Sequence, residues 1–139
     1  MRYMMIVKLT PESETGRDYE AGKPPTPELL AAMAKLQEDP AMARALLGTG
    51  ELRPMGRGAR VRASKGKLTV IDGPFIETKE VIGGYAILEA KSKEEALQMG
   101  QGYMQLHVNV LGPSYEAELE IREMADVPAC GAGAAKNQP

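Results

Sequence analysis

The chain has 139 residues, 43% of them apolar and 26% charged, with a formal net charge of −2. That is the mix of a single soluble globular domain. One His and one Cys are too few for an intrachain disulfide or for a zinc site built on several such ligands, and so small a net charge gives no reason to expect a nucleic-acid partner.

In chain order, Arg2–Leu9 reads as a strand with Tyr3, Met5, Val7 and Leu9 on one face and Met4 and Ile6 on the other. Apolar residues on both faces predict an inner strand covered on both sides. Thr10–Pro25 carries Pro, Gly and charge, and reads as a long loop, a lid or a rim. Thr26-Pro27-Glu28 is a helix start, after which Leu29, Met33 and Leu36 line one face. Asp39-Pro40 interrupts that helix, and Asp39 can cap a second short piece through Leu47, ended by Gly48 and Gly50. A short extra strand is expected near Glu51–Met55. Ala59–Ser64 alternates, with Ala59, Val61 and Ala63 expected inward and Arg60 and Arg62 outward; Lys67–Ile71 pairs with it across Ser64-Lys65-Gly66. Gly83 and Gly84 lead into a strand at Tyr85–Ala90. Ser92-Lys93-Glu94-Glu95 is a capping box for a helix that runs to about Leu111, where Gly112-Pro113 stops it. Glu116–Glu123 alternates as the last strand.

This order predicts an α+β fold, a ferredoxin-like split βαβ sandwich with its helices on one face of a mostly antiparallel sheet. The two-faced inner strands suggest that a second copy covers the other face. Residues 1–124 form the domain, and 125–139, with Cys130, read as a flexible tail. No stretch approaches the ~18 apolar residues of a membrane span, and no secretory leader is visible, so the expected location is cytoplasmic, away from membranes.

Charge is unevenly spread. Arg44, Arg53, Arg57, Arg60, Arg62, Lys65 and Lys67 face Glu51 alone between residues 44 and 67, a local +6 that leaves −8 on the rest. The basic stretch is either a solvated hairpin or an anion-binding face. It has no interleaved aromatics, which single-stranded nucleic acid would require.

The most distinctive stretch is Ile71-Asp72-Gly73-Pro74-Phe75-Ile76-Glu77-Thr78-Lys79-Glu80-Val81-Ile82-Gly83-Gly84-Tyr85. Asp-Gly-Pro ends a strand sharply. Asp72, at that strand end beside the chain's sole Phe, is a candidate general base; the alternative is an Asp that caps its own turn. His107 falls on an apolar helical face, either as a packed imidazole or as a residue titrating in a pocket. Asp72 and His107 together would make an acid–base pair. Phe75, Glu77, Lys79, Glu80, Gly83 and Tyr85 are candidate ligand-binding residues, with an ion-pair cluster as the other reading of the charged three. Arg60 and Arg62 project from one strand face and are candidates for holding a carboxylate or phosphate. Gly83 and Gly84 suit a bulge. Tyr85 and Tyr103 read as core residues with the hydroxyl at an edge.

The same stretch resembles the signature of the DGPF family, a branch of the YCII-related proteins, in its Asp72-Gly73-Pro74-Phe75 run, its Glu77-Thr78-Lys79-Glu80 and its Gly83-Gly84-Tyr85. Gly58–Arg62, Ala90–Ala96, Glu118–Arg122 and the opening Met-Arg-Tyr-Met also match, so the likeness covers roughly residues 1–124. The resemblance implies a dimeric α+β barrel made by sheet-to-sheet packing of two protomers. The Asp72–Phe75 loop falls at a sheet end, so a small-molecule pocket is expected near it, and the resemblance further implies cofactor-free acid–base chemistry or else a non-catalytic binding or regulatory role, and an association with extracytoplasmic-function sigma factors. No cofactor is expected. Two departures stand out: Asp39-Pro40 splits the first helix, and the only His lies on the second helix, where enzyme-like relatives carry theirs on the first.

Overall fold

The computed structural model describes residues 1–75 and 78–126. Glu77 and most of the expected tail, including Cys130, lie outside the described residues. The elements are β1 (Arg2–Leu9), α1 (Glu14–Glu20), α2 (Pro27–Glu38), α3 (Pro40–Ala45), β2 (Leu46–Glu51), a 3-10 turn at Met55–Arg57, β3 (Ala59–Ser64), β4 (Lys67–Asp72), β5 (Val81–Glu89), α4 (Lys93–Leu111) and β6 (Glu118–Glu123). The main sheet runs β2-β5-β1-β6, antiparallel throughout. This is the ferredoxin-like arrangement, with the β3–β4 hairpin inserted as a separate two-stranded sheet.

The alternation of β1 sets the layers. Tyr3, Met5 and Leu9 are buried on the inner face, and Leu88 of β5, opposite Tyr3, is 1% exposed. On the outer face Met4, Ile6 and Lys8 are half-buried. Helices α2 and α4 pack together and α4 covers the inner face, with Ala96 buried against Tyr3 and Ala90. At Gly100 the helix comes so close to β6 that a Cβ would sit 2.7 Å from Ile121 Cδ1 and 3.0 Å from Leu119 Cδ2. Glycine lowers helix propensity by about 1 kcal/mol, and this close approach is what it permits in return.

Local signals placed several elements where expected. Thr26 caps α2 by accepting from Leu29 N at 3.1 Å, and Asp39 caps α3 by accepting from Met42 N at 3.2 Å. Ser92 caps α4 through Glu95 N at 3.1 Å.

Three expectations are corrected. The stretch expected as loop contains α1, which starts where Ser13 Oγ accepts from Gly16 N at 3.0 Å. The second helical piece ends at Ala45, and the edge strand β2 begins at once, so the extra strand expected near Glu51–Met55 lies earlier. Gly48 and Gly50 sit inside that strand. Gly50 pairs with Tyr85, whose ring lies where a Cβ on Gly50 would be, at 2.5 Å from Cε1, so the aromatic covers a bare stretch of backbone. Finally, Ala59, Val61 and Ala63 do not point into a core: every residue of β3 and β4 is exposed. Among the described residues no helix is long and apolar enough to cross a membrane.

Candidate functional site

The space between the inner sheet face and the helices is not filled. A cavity of about 790 Å³ lies there, within the usual range for small-molecule pockets. Its floor includes Met5, Val7 and Leu119, and its walls include Leu29 and Met33 of α2. From α4 come Met99, Tyr103, His107 and Leu111. These recur every fourth residue, so they form one stripe along the helix.

Polar groups gather beside these apolar side chains. His107 is the buried polar residue of the core, 5% exposed. Its Nδ1 is 2.9 Å from the Tyr103 carbonyl oxygen. A carbonyl only accepts, so Nδ1 carries the hydrogen and donates it, which leaves the Nε2 lone pair free in the neutral ring. Burial pushes the imidazole below its ordinary 6.5, and the Tyr103 carbonyl partly opposes that shift. The ring sits between two phenols, with centroids 4.4 Å from Tyr103 and 5.2 Å from Tyr115.

Burial, helped by the Tyr103 ring, pushes Tyr115 up to about 12. Burial also raises Tyr103, and the Glu51 carboxylate of β2 adds to it. Both phenols therefore stay protonated as donors. Tyr19 is raised by burial, then by Glu20 and Glu51. The cavity thus holds a neutral imidazole and uncharged phenols, with charged groups on the α1 and β2 side: Glu14, Asp18, Lys23, Glu51 and Arg53.

Helix α1 closes one side and is tied at both ends. Near its start, Thr15 Oγ1 accepts from Glu116 N at 2.9 Å and donates to Ser114 O at 3.4 Å. Near its end, the Tyr19 hydroxyl lies 2.5 Å from Leu52 O and 3.0 Å from Arg53 O, and the Glu20 carboxylate accepts from Met55 N at 3.2 Å. No apolar periodicity announces α1. Polar contacts to distant segments hold it instead.

Of the residues singled out in the sequence, His107, Gly83 and Tyr85 line this cavity. Tyr85 does so at the sheet's edge, since its pairing with Ile6 turns its side chain toward the outer face. Asp72 does not line it: it ends β4, exposed and opposite Ala59. Asp72 and His107 therefore share no cavity, and the volume is not at the Asp72–Phe75 loop. That loop is fastened to the hairpin root. The Arg60 guanidinium lies 3.8 Å from the Phe75 ring centroid, and its Nη2 donates to Thr78 Oγ1 at 2.8 Å. Gly73 N donates to Gly58 O at 2.9 Å, and a Cβ on Gly73 would collide with Met55 O, so only glycine fits there. Arg62 and Lys79 are exposed. Glu80 lies 3.7 Å from Lys8, which also pairs with Glu120. Gly83 forms a bulge: β1 and β5 change register between Val7 and Lys8, opposite Gly84 and Ile82. Among the described residues no group of three or more His, Cys, Asp or Glu is placed to hold a metal ion.

Tyr19, Glu51 and Tyr115 were not foreseen as site residues. A signal existed in the composition. The chain has five Tyr and one His, and Tyr19, Tyr103 and Tyr115 gather with that His at one cavity.

The model of the YCII-related domain matches residues 1–105. The chain belongs to the YCII-related family. An uncharacterized protein of Rhizobium meliloti (strain 1021) is 36% identical over 96 residues, which cover 64% of this chain and 76% of that relative. The YCII-related match runs from β1 into α4 and includes the Asp72–Phe75 run and Tyr103. His107, Tyr115 and β6 come after it.

Proposed function

We propose that this YCII-related protein takes a small, largely apolar organic molecule with a carbonyl group into the cavity, and that His107 accepts a proton from it. The observation that carries this reading is a neutral, buried imidazole flanked by two protonated phenols, beside the Met5, Val7, Leu29 and Met33 side chains of the cavity. In the step proposed, the C–H bond next to the carbonyl breaks and its proton passes to Nε2. The electron pair moves onto the carbonyl oxygen, and a Tyr103 or Tyr115 hydroxyl donates a hydrogen bond to the resulting oxyanion. Return of the proton to the same or a neighbouring carbon completes an exchange or an isomerisation without a cofactor. The base is His107 and not Asp72, because Asp72 is exposed outside the cavity.

The test is proton exchange of cyclic and aryl ketones in deuterated buffer, followed by NMR, with binding read from protein amide shifts. The expected result is exchange above the buffer rate that His107→Gln abolishes while binding persists. Binding without exchange would leave a ligand-binding module and remove the catalytic reading. No shift with any ketone would remove both.

We also infer that the outer sheet face packs on the same face of a second copy. Met4, Ile6 and Ile87 lie side by side there, half-buried and without a covering layer among the described residues, whereas a sheet apolar on both faces calls for cover on both.

A further inference from the structure

The β3–β4 hairpin leaves a surface uncovered. Val61 is 67% exposed, Leu68 75% and Val70 67%. Val61 pairs with Val70, and Ala63 with Leu68, so these four share one face of the ribbon. Arg60, Arg62, Lys67 and Thr69 alternate onto the other. An isolated two-stranded ribbon is marginal in water. This one is anchored firmly at its root by Arg60, Phe75, Thr78 and Gly73, yet among the described residues nothing covers its apolar face. Fixing an apolar ribbon rigidly in water is unfavourable unless something covers it.

We propose that each hairpin is an arm lying with its apolar face on the outer sheet face of a second copy. This rests on the sheet-face pairing proposed above and adds the contact that locks it. Two features of the chain select its own copy as the occupant. The first is a matching apolar patch: Ile82, 46% exposed, and Tyr85, 37% exposed, continue the outer face beside Ile6 and Ile87. The second is charge. The basic stretch containing the hairpin carries +6 and the rest of the chain −8; on the outer face Lys8 and Arg122 engage Glu80 and Glu120, while Glu118 of β6 makes no ion pair among the described residues. Lys65, in the turn at the tip of the ribbon, is the cation of the arm that meets Glu118 of the other copy. A two-fold axis makes both contacts at once and closes the assembly.

Sedimentation of the full chain tests this, with far-UV circular dichroism as the check on folding. The wild-type chain is expected at twice its 15.0 kDa mass. Val61→Asp with Val70→Asp, both on exposed positions, is expected to give the single-chain mass with an unchanged spectrum. Lys65→Glu, and separately Glu118→Lys, are each expected to raise the dimer dissociation constant about tenfold, the effect of losing one surface ion pair on each side of the two-fold axis. Mixing those two variants is expected to restore the wild-type constant, because each arm then meets an opposite charge. A monomeric wild-type chain overturns both the pairing and the arm. A dimer that survives the Val61 and Val70 changes but is abolished by Ile82→Glu overturns the arm alone. So does a mixture of the charge variants without rescue.

Discussion

The cavity and the hairpin handle scarce side chains in opposite ways. The cavity draws Tyr19, Tyr103, Tyr115 and the only His into one volume. Chain segments far apart in sequence supply it: α1, β2, α4 and the turn at Tyr115. The hairpin is local, built from neighbouring residues, basic and fully exposed. Its distinctive residues, Arg60, Gly73 and Phe75, hold one another at the root. A signature run in sequence thus marks where the chain has to turn tightly, whereas the chemistry collects where unrelated segments meet.

Glycine substitutions sharpen this contrast most. Gly100→Ala adds about 1 kcal/mol of helix propensity but forces a methyl against Ile121 and Leu119, an overpacking cost of about 1–3 kcal/mol. A net loss of global stability is expected, read as a lower thermal midpoint for the whole protein. Gly73→Ala meets a backbone oxygen that cannot give way, yet its effect is expected to stay in the hairpin. Amide exchange in β3 and β4 speeds up while the thermal midpoint of the main sheet and α4 falls less than it does for Gly100→Ala. If both variants lowered the midpoint equally, the two regions would be one cooperative unit.

Titration separates the regions next. The unfolded chain takes up a proton on His107 near pH 6.5, and the folded chain resists it because burial lowers the imidazole. The stability tied to a neutral His107 is therefore complete above pH 6.5 and is lost as pH falls through that value. The wild-type midpoint is expected to drop over that range and His107→Gln to flatten the curve. An unchanged slope would place the proton uptake elsewhere. The smallest effect is expected from Arg60→Ala, which removes a stacked cation worth about 0.5–1 kcal/mol at an exposed site. Limited proteolysis between Asp72 and Lys79 is expected to accelerate, with cavity binding unaffected.

Much of the frame was legible in the sequence. Alternation marked β1, β3 and β6, and caps at Thr26, Asp39 and Ser92 marked the three helix starts. What stayed hidden lacked a local cause. Helix α1 has seven residues and one buried position, Gly16, and it is held by Thr15, Tyr19 and Glu20 reaching across the fold. Strand β2 contains Gly48 and Gly50, which disfavour strands, and it forms where β5 and the Tyr85 ring receive it. The inward reading of Val61 failed because alternation reveals that a strand has two faces, not that one of them is covered. His107 was legible as a candidate. Its neighbours Tyr115 and Glu51 were not, since nothing in their spacing announces that they meet.

Along α4 the residues turned toward the sheet grow in size, from Ala96 and Gly100 to Tyr103, His107 and Leu111. A helix is a stiff rod, so a narrow gap at one end and a wide one further on make it a wedge. Its thin edge rests on Ile121 and Leu119. His107 stands seven positions on, roughly 10 Å along the axis. The bore of the chamber is therefore gauged at position 100, by a residue that no ligand would touch.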